Sequence, residues 1–332
     1  VAVKQILSAV HPYRWRNGLI AKRNLAVMSG VLVPTGLLGA VGWIYSTELL
    51  RPVAEVEAQL LWPQGPDPDA VGIAFEEAVV PGPLGDYPAW VVPPGTTDLS
   101  NDLANDTWVI AVHGRGGDRR ECLRILPTLH RLGHPVLAIT YRNDKGAPAS
   151  PDGHYHLGDT EWTDLAAAVA YARQRGAQRV VLYGWSMGAA IIAAYLDRGT
   201  PPVPVAATIW DSPLIDWRAT LRQQAKLRRL PPVLTRVATL VTRWRIGIDF
   251  DLFDLVARMP KVRVPTLLVH GADDSAVPPT PSRKLAAAAP SVGWPLRYLE
   301  VPGAEHTAPW NVDPAGYEAA VAEFLRECRD RP

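Results

Sequence analysis

Residues 25–46 carry no charged side chain, whereas beyond residue 70 the chain turns to short apolar runs separated by polar, helix-forming stretches. An uncharged run of about 22 residues has the length a helix needs to cross the hydrocarbon of a bilayer. Trp43 and Tyr45 close it, as aromatic residues do at an interface, and membrane helices tolerate Pro34 and the glycines within it. Lys4, Arg14, Arg16, Lys22 and Arg23 precede the run, while Glu48, Arg51, Glu55 and Glu57 follow it. That bias predicts a single-pass protein of the cell membrane, with its amino end in the cytoplasm and its body outside. Two readings rival it: a cleaved signal peptide, for which Ala40-Val41-Gly42 is only a weak cleavage site, and a cytoplasmic enzyme with a buried first helix, which ranks lower because a run that long before the first strand has no core to enter. The predicted organisation is a cytoplasmic segment 1–24, a transmembrane helix 25–46, a linker 47–69 stiffened by Pro52, Pro63, Pro66 and Pro68, and a folded domain 70–332.

Within that domain, 71–80 and 87–92 read as antiparallel strands joined by a turn-rich loop over 81–86, and 96–106 is a polar loop. Strand 108–112, helix 119–132, strand 135–141, helix 160–175 and strand 179–183 then alternate as βαβ units do. Such units require a parallel sheet with right-handed crossovers. Strands 205–210, 266–269 and 296–300 extend the pattern. An insertion over about 213–259 exceeds what one crossover needs. Its segments 214–230 and 233–244 read as helices separated by Pro231-Pro232, a candidate cap over a substrate pocket. Leu240, Val241, Trp244 and Ile246 either line that pocket or pack the cap onto the body.

The chemistry is concentrated at the ends of these strands. Gly184-Trp185-Ser186-Met187-Gly188 follows an apolar strand and precedes the helix-forming 189–196, the context that makes G-x-S-x-G a nucleophile elbow. Ser186 is the candidate nucleophile. A serine hydroxyl is a weak nucleophile at neutral pH, so an imidazole must take its proton and a carboxylate must orient that imidazole. His270-Gly271-Ala272-Asp273-Asp274-Ser275-Ala276-Val277-Pro278 follows strand 265–269, and His306 follows the last strand. All three groups thus lie past the carboxyl ends of strands, where chemistry collects in open α/β sheets. His306 is the candidate base, and adjacent Asp274 and Asp273 compete as its orienter.

With these motifs, the stretch from about residue 70 to residue 325 resembles the α/β-hydrolase superfamily of serine hydrolases. The resemblance implies an α/β-hydrolase fold with a mostly parallel sheet, helices on both faces and a helical cap. It also implies the order Ser, Asp, His, and an acid in H-G-x-x-D-x-x-V-P, which selects Asp274 and leaves Asp273 as the alternative. His113-Gly114-Arg115-Gly116-Gly117 resembles the family's oxyanion loop, so the backbone N–H groups of Arg115 and Met187 are the implied oxyanion donors. The Arg115 guanidinium either faces an anionic substrate group or solvent, and His113 reads as a structural, hydrogen-bonded histidine. The implied activity is cleavage of carboxylic esters, small-molecule or lipid, and by extension thioesters or amides, through an acyl-enzyme. The alternatives are an acyltransferase using the same acyl-enzyme and a non-catalytic binding module. Peptidases of this fold usually carry an amino-terminal propeller, which ranks peptide cleavage lower.

With 332 residues, 48% of them hydrophobic, the chain can build one sizeable core. The net charge of +1 argues against nucleic acid as partner, and Arg119-Arg120 and Arg228-Arg229 read as solvated helix faces. No dinucleotide-type glycine fingerprint occurs, so no redox cofactor is implied. Asp152, His154, His156 and Asp159 match no recognised metal-ligand spacing, and Asp159 reads as part of a helix cap. Cys122 and Cys328 are expected to lie too far apart for a disulfide.

Overall fold

The computed structural model describes residues 25–52, 65–95 and 106–329, with side chains from residue 38 onward. The chain divides into two compact units, 1–40 and 41–332. Helix α1 (Leu25–Leu50) begins in the first, and all elements after it belong to the second.

Eight strands form one sheet: β1 (Glu76–Gly82), β2 (Gly85–Val92), β3 (Thr107–Val112), β4 (Val136–Ile139), β5 (Arg179–Trp185), β6 (Val205–Asp211), β7 (Thr266–Gly271) and β8 (Leu296–Val301). Their spatial order is β1-β2-β4-β3-β5-β6-β7-β8. β1, β2 and β4 pair antiparallel, and all pairings from β4 to β8 are parallel. The helices that follow are α2 (Leu126–Arg131), α3 (Trp162–Gln174), α4 (Met187–Arg198), α5 (Trp217–Leu227), α6 (Pro232–Ile246), α7 (Thr280–Ala288), α8 (Pro309–Val312) and α9 (Pro314–Arg329).

Alternate residues of the buried strands feed two cores. Ile110, Leu137 and Leu182 share one core with Val169 of α3 and Ile192 of α4, and Leu268 lies in the same core with Leu285 of α7. Val109, Ala138, Val181 and Val269 face α2 and α9, where Cys122 and Cys328 are both buried and no disulfide joins them. Both faces of β3, β5 and β7 are buried almost throughout, which is why the middles of these strands read as apolar runs. The chain crosses from β4 and β3 on one side to β5 on the other, so the crevice between the ends of β3 and β5 is a topological switch point.

Several boundaries differ from expectation. Residues 71–75 are not strand: a 3₁₀ turn, Pro68–Val71, ends at left-handed Gly72. β1 and β2 join more tightly than a long loop allows, since Gly82 pairs with Gly85. The helix expected over 119–132 is a 3₁₀ turn (Arg119–Arg124) followed by short α2, with Pro127 starting the new helix where its missing N–H costs nothing.

The structure does not show the transmembrane helix expected over 25–46. No helix among the described residues is long and apolar enough to cross a membrane. The expected span is helical, but its residues 25–37 lie outside those with described side chains. The helix also continues past Ser46 to Leu50, and both of those residues are fully buried. The linker expected from residue 47 thus begins as helix packed on the body, and 53–64 lie outside the described residues, as do 1–24 and most of the polar loop at 96–106.

Candidate active site

Ser186 sits between β5 and α4 at φ 50°, ψ −114°, a region that non-glycine residues rarely occupy. The two glycines of the elbow make this turn feasible. A Cβ at Gly188 would lie 2.1 Å from the Val112 carbonyl oxygen, and one at Gly184 would lie 2.6 Å from the Ala189 nitrogen. The serine N–H is fixed by the Asp211 carbonyl at 2.9 Å. Its hydroxyl therefore projects from a rigid turn instead of a mobile loop.

The three side chains separated in sequence meet here. His306 Nε2 lies 2.9 Å from Ser186 Oγ, and His306 Nδ1 lies 2.7 Å from Asp274 Oδ2. With a carboxylate facing Nδ1, that nitrogen carries the proton and Nε2 is left to accept from the serine. Asp274 is buried, while Asp273 is exposed. Burial alone would raise the Asp274 pKa, but hydrogen bonds from His270 and His306, the nearby imidazole charge and the Val277 N–H hold it down at about 2. Its Oδ1 accepts from the N–H groups of Ala276 and Val277 at 2.9 and 2.7 Å.

The supports of this set were not foreseen. His270 Nε2 lies 3.2 Å from Asp274 Oδ2, and its Nδ1 meets Ser282 Oγ at 2.7 Å. The first histidine of H-G-x-x-D was the available signal for it. Thr307, at φ 50°, is gripped on both sides: its N–H donates to Ser212 Oγ, and its carbonyl accepts from Arg124 Nη1. Ser212 donates to Asp211, which also accepts from Tyr317, itself bonded to Tyr183. Burial raises the Asp211 pKa. Arg124 reaches Glu121, and Glu121 accepts from the Gly114 N–H at 2.7 Å. One buried ion pair thus ties the glycine loop after β3 to the loop that carries His306.

That glycine loop is further fixed by His113, whose ring stacks on Tyr141 with centroids 4.3 Å apart. Both ring nitrogens face acceptors, Nδ1 the Gly114 carbonyl and Nε2 the Asp144 carboxylate, each at 2.8 Å. Burial opposes charge on the ring, but the Asp144 charge and these bonds push its pKa up to about 9. His113 is therefore a structural imidazolium. Arg115 follows it, and Met187 opens α4, so the Met187 N–H has no acceptor within its helix.

The carboxy-terminal part of the chain, residues 127–331, matches the prolyl oligopeptidase family. The chain belongs to that family. A Mycobacterium tuberculosis protein known only as uncharacterized is 30% identical over 223 residues, 66% of this chain and 69% of its own. The Danio rerio lysophosphatidylserine lipase ABHD12 is 26% identical over 196 residues, 53% of this chain and 46% of its own. Among solved structures, the Pyrococcus furiosus esterase Pf2001 superposes with a TM-score of 0.61 at 19% identity, covering 83% of this chain and 98% of that one. This prolyl oligopeptidase-family chain is thus a serine hydrolase of α/β-hydrolase type.

Other predicted residues of this family member go elsewhere. The Arg115 side chain is half-buried against the end of α1. Its Nη2 donates to the carbonyls of Glu48 and Arg51 at 2.7 and 3.1 Å, while the Tyr155 N–H takes the Leu50 carbonyl. These carbonyls at the end of α1 have no intrahelical partner, and a cation suits that end of a helix. From the cap, Arg245 bonds Ser46 and Thr47 and lies over the Trp43 ring at 4.3 Å. Leu240 and Trp244 do not line a pocket: they are 66% and 77% exposed. Val241 and Ile246 are half-buried. Asp159 pairs with Arg198 instead of capping α3, and the buried Glu161 carboxylate takes the loop N–H groups of His156 and Gly158. Arg245 also faces His154, and no group of three or more His, Cys, Asp or Glu among the described residues could hold a metal.

Proposed function

We propose that this protein is a membrane-anchored hydrolase of carboxylic esters, acting through an acyl-enzyme on Ser186. The observation that carries the reading is the unbroken hydrogen-bonded line from Ser186 through His306 to Asp274, at a strained strand-to-helix turn. In this reading Ser186 Oγ attacks the acyl carbonyl as His306 Nε2 takes its proton, and the ionised Asp274 stabilises the resulting imidazolium. The N–H groups of Arg115 and Met187 receive the oxyanion. His306 then protonates the departing alcohol, and the same base activates a water that releases the acid. Asp273 has no part in this line. Esters are favoured because the relatives include a protein named as a lysophosphatidylserine lipase and a structure named as an esterase.

The uncharged run that begins at residue 25 is assigned to the bilayer up to the point where its last residues pack on the body, with the hydrolase body outside the cytoplasm, on the strength of its lack of charge and the basic residues before it. A second reading, peptide-bond hydrolysis, is favoured by the family name itself. The full chain should be assayed on p-nitrophenyl esters of rising chain length and on a prolyl p-nitroanilide, each with and without an alcohol acceptor. The ester reading expects kcat/KM for the best ester to exceed that for the anilide by roughly a hundredfold or more. A faster anilide would transfer the assignment to peptides, and alcohol-dependent ester exchange outpacing hydrolysis would transfer it to an acyltransferase.

A further inference from the structure

Between Asp216 and Asp249 the chain holds eight basic side chains and no acidic one, in a protein whose net charge is +1. That stretch is the cap, helices α5 and α6. Val233, Arg236, Leu240, Arg243 and Trp244 recur at helical spacing, and all five are exposed, whereas Ala238 and Thr242 on the other side of α6 are buried. An indole 77% exposed beside a leucine 66% exposed is unusual for a surface that meets only water. Arg228 and Arg229 add charge where α5 ends. Arg218, Arg222 and Arg243 face Asp251, Asp216 and Asp249, but among the described residues Arg228, Arg229 and Arg236 have no carboxylate in ion-pair reach.

We infer that this face of the cap is a docking surface for an anionic lipid bilayer. Helices that alternate arginine with tryptophan and aliphatic side chains suit the boundary of headgroups and acyl chains, where arginine stems lie along apolar surface and their heads reach phosphate. The apolar patch continues across to α1, where Trp43 and Ile44 are exposed and the Trp43 ring lies 6.2 Å from that of Trp244. Trp43 belongs to the same uncharged run assigned to the bilayer, so the inference rests on that assignment for its proximity to lipid. The patch is also joined to the chemistry. Glu48, whose carbonyl Arg115 holds, is five residues along the helix from Trp43, about 8 Å of axial rise. An ester resident in the bilayer would then approach the oxyanion loop from the lipid side.

The test uses the full chain carrying an environment-sensitive dye on Leu240→Cys, with the same dye on Val79→Cys of edge strand β1 as control. The protein is added to vesicles of phosphatidylcholine alone or with phosphatidylglycerol. Flotation reports the anchor, p-nitrophenyl ester turnover reports the hydrolase, and the ratio of quenching by lipid-borne nitroxide to quenching by aqueous iodide reports the surface. The expected result is a higher ratio at 240, but not at 79, when phosphatidylglycerol is present, reversed by salt. The combined Arg228→Glu, Arg229→Glu and Arg236→Glu variant should lower that ratio by about tenfold or more, with ester turnover in detergent unchanged, because each basic residue near such a surface contributes about a factor of five. If the chain fails to float on neutral vesicles yet the anionic ones protect the dye, the anchor falls and the surface stands. Equal ratios in both vesicles, or protection of the dye by an oligonucleotide but not by anionic vesicles, would overturn the inference.

Discussion

Ser186 holds a backbone conformation that costs on the order of 1–3 kcal/mol, and Ser212 and Thr307 beside it share the same region of φ. Close-packed neighbours hold all three there: Val112 against Gly188 on one side, Arg124 and Ser212 against Thr307 on the other. The two adjacent carboxylates show how finely position decides role. Asp274→Asn keeps the shape but presents a group that no longer favours the Nδ1–H tautomer, so kcat is expected to fall by roughly 10³ to 10⁴. Asp273→Asn, at an exposed position, is expected to leave kcat within about twofold. Parallel ester kinetics on the two variants check this, and comparable losses would contradict the assignment. At this scale the motifs point to Ser186, His306 and Asp274, the side chains the structure brings together, because each occupies a fixed offset from a strand end. They are silent on Arg124 and Ser212, whose partners lie up to 187 residues away and leave no local pattern. The Arg115 side chain was misjudged for the same reason, since its acceptors are carbonyls of a helix 64 and 67 residues earlier.

The loop after β3 is an element built around a buried charge. His113 has a pKa near 9 in the fold against about 6.5 in an unfolded chain, so the folded state holds the proton more tightly. Its contribution to stability is complete below about pH 6.5 and is lost as pH rises through about 9. Thermal melts of the wild type and of His113→Asn are therefore expected to differ most at pH 6 and to converge above pH 9, by an amount of up to roughly 3 kcal/mol. A difference independent of pH would show that the imidazolium is not held. Elements with one strong period were legible: β3, β5 and β7 were recognised as buried strands because both faces are apolar. Helix 119–132 was not, because Pro127 resets it, and strand 71–80 was not, because left-handed Gly72 ends a turn inside it.

At the scale of the whole molecule, one edge of the sheet gathers the elbow, the acid loop and the histidine loop, while the cap and the end of α1 close over the same side through Arg245 and Arg115. Charge is uneven as well, since eight basic residues and no acidic one lie between Asp216 and Asp249 in a chain of net charge +1. The α/β layout could be read from alternating apolar runs, but the packing of α1 residues 41–50 on the body could not, since an uncharged helix looks alike to lipid and to a protein core. Acyl transfer by the proposed route requires Ser186 to be the reactive hydroxyl. The most direct measurement treats the full-length protein with a fluorophosphonate and maps the adduct by peptide mass spectrometry. One adduct is expected, on Ser186, absent in Ser186→Ala and strongly slowed in His306→Ala. An adduct on another residue, or labelling that persists in Ser186→Ala, would contradict it.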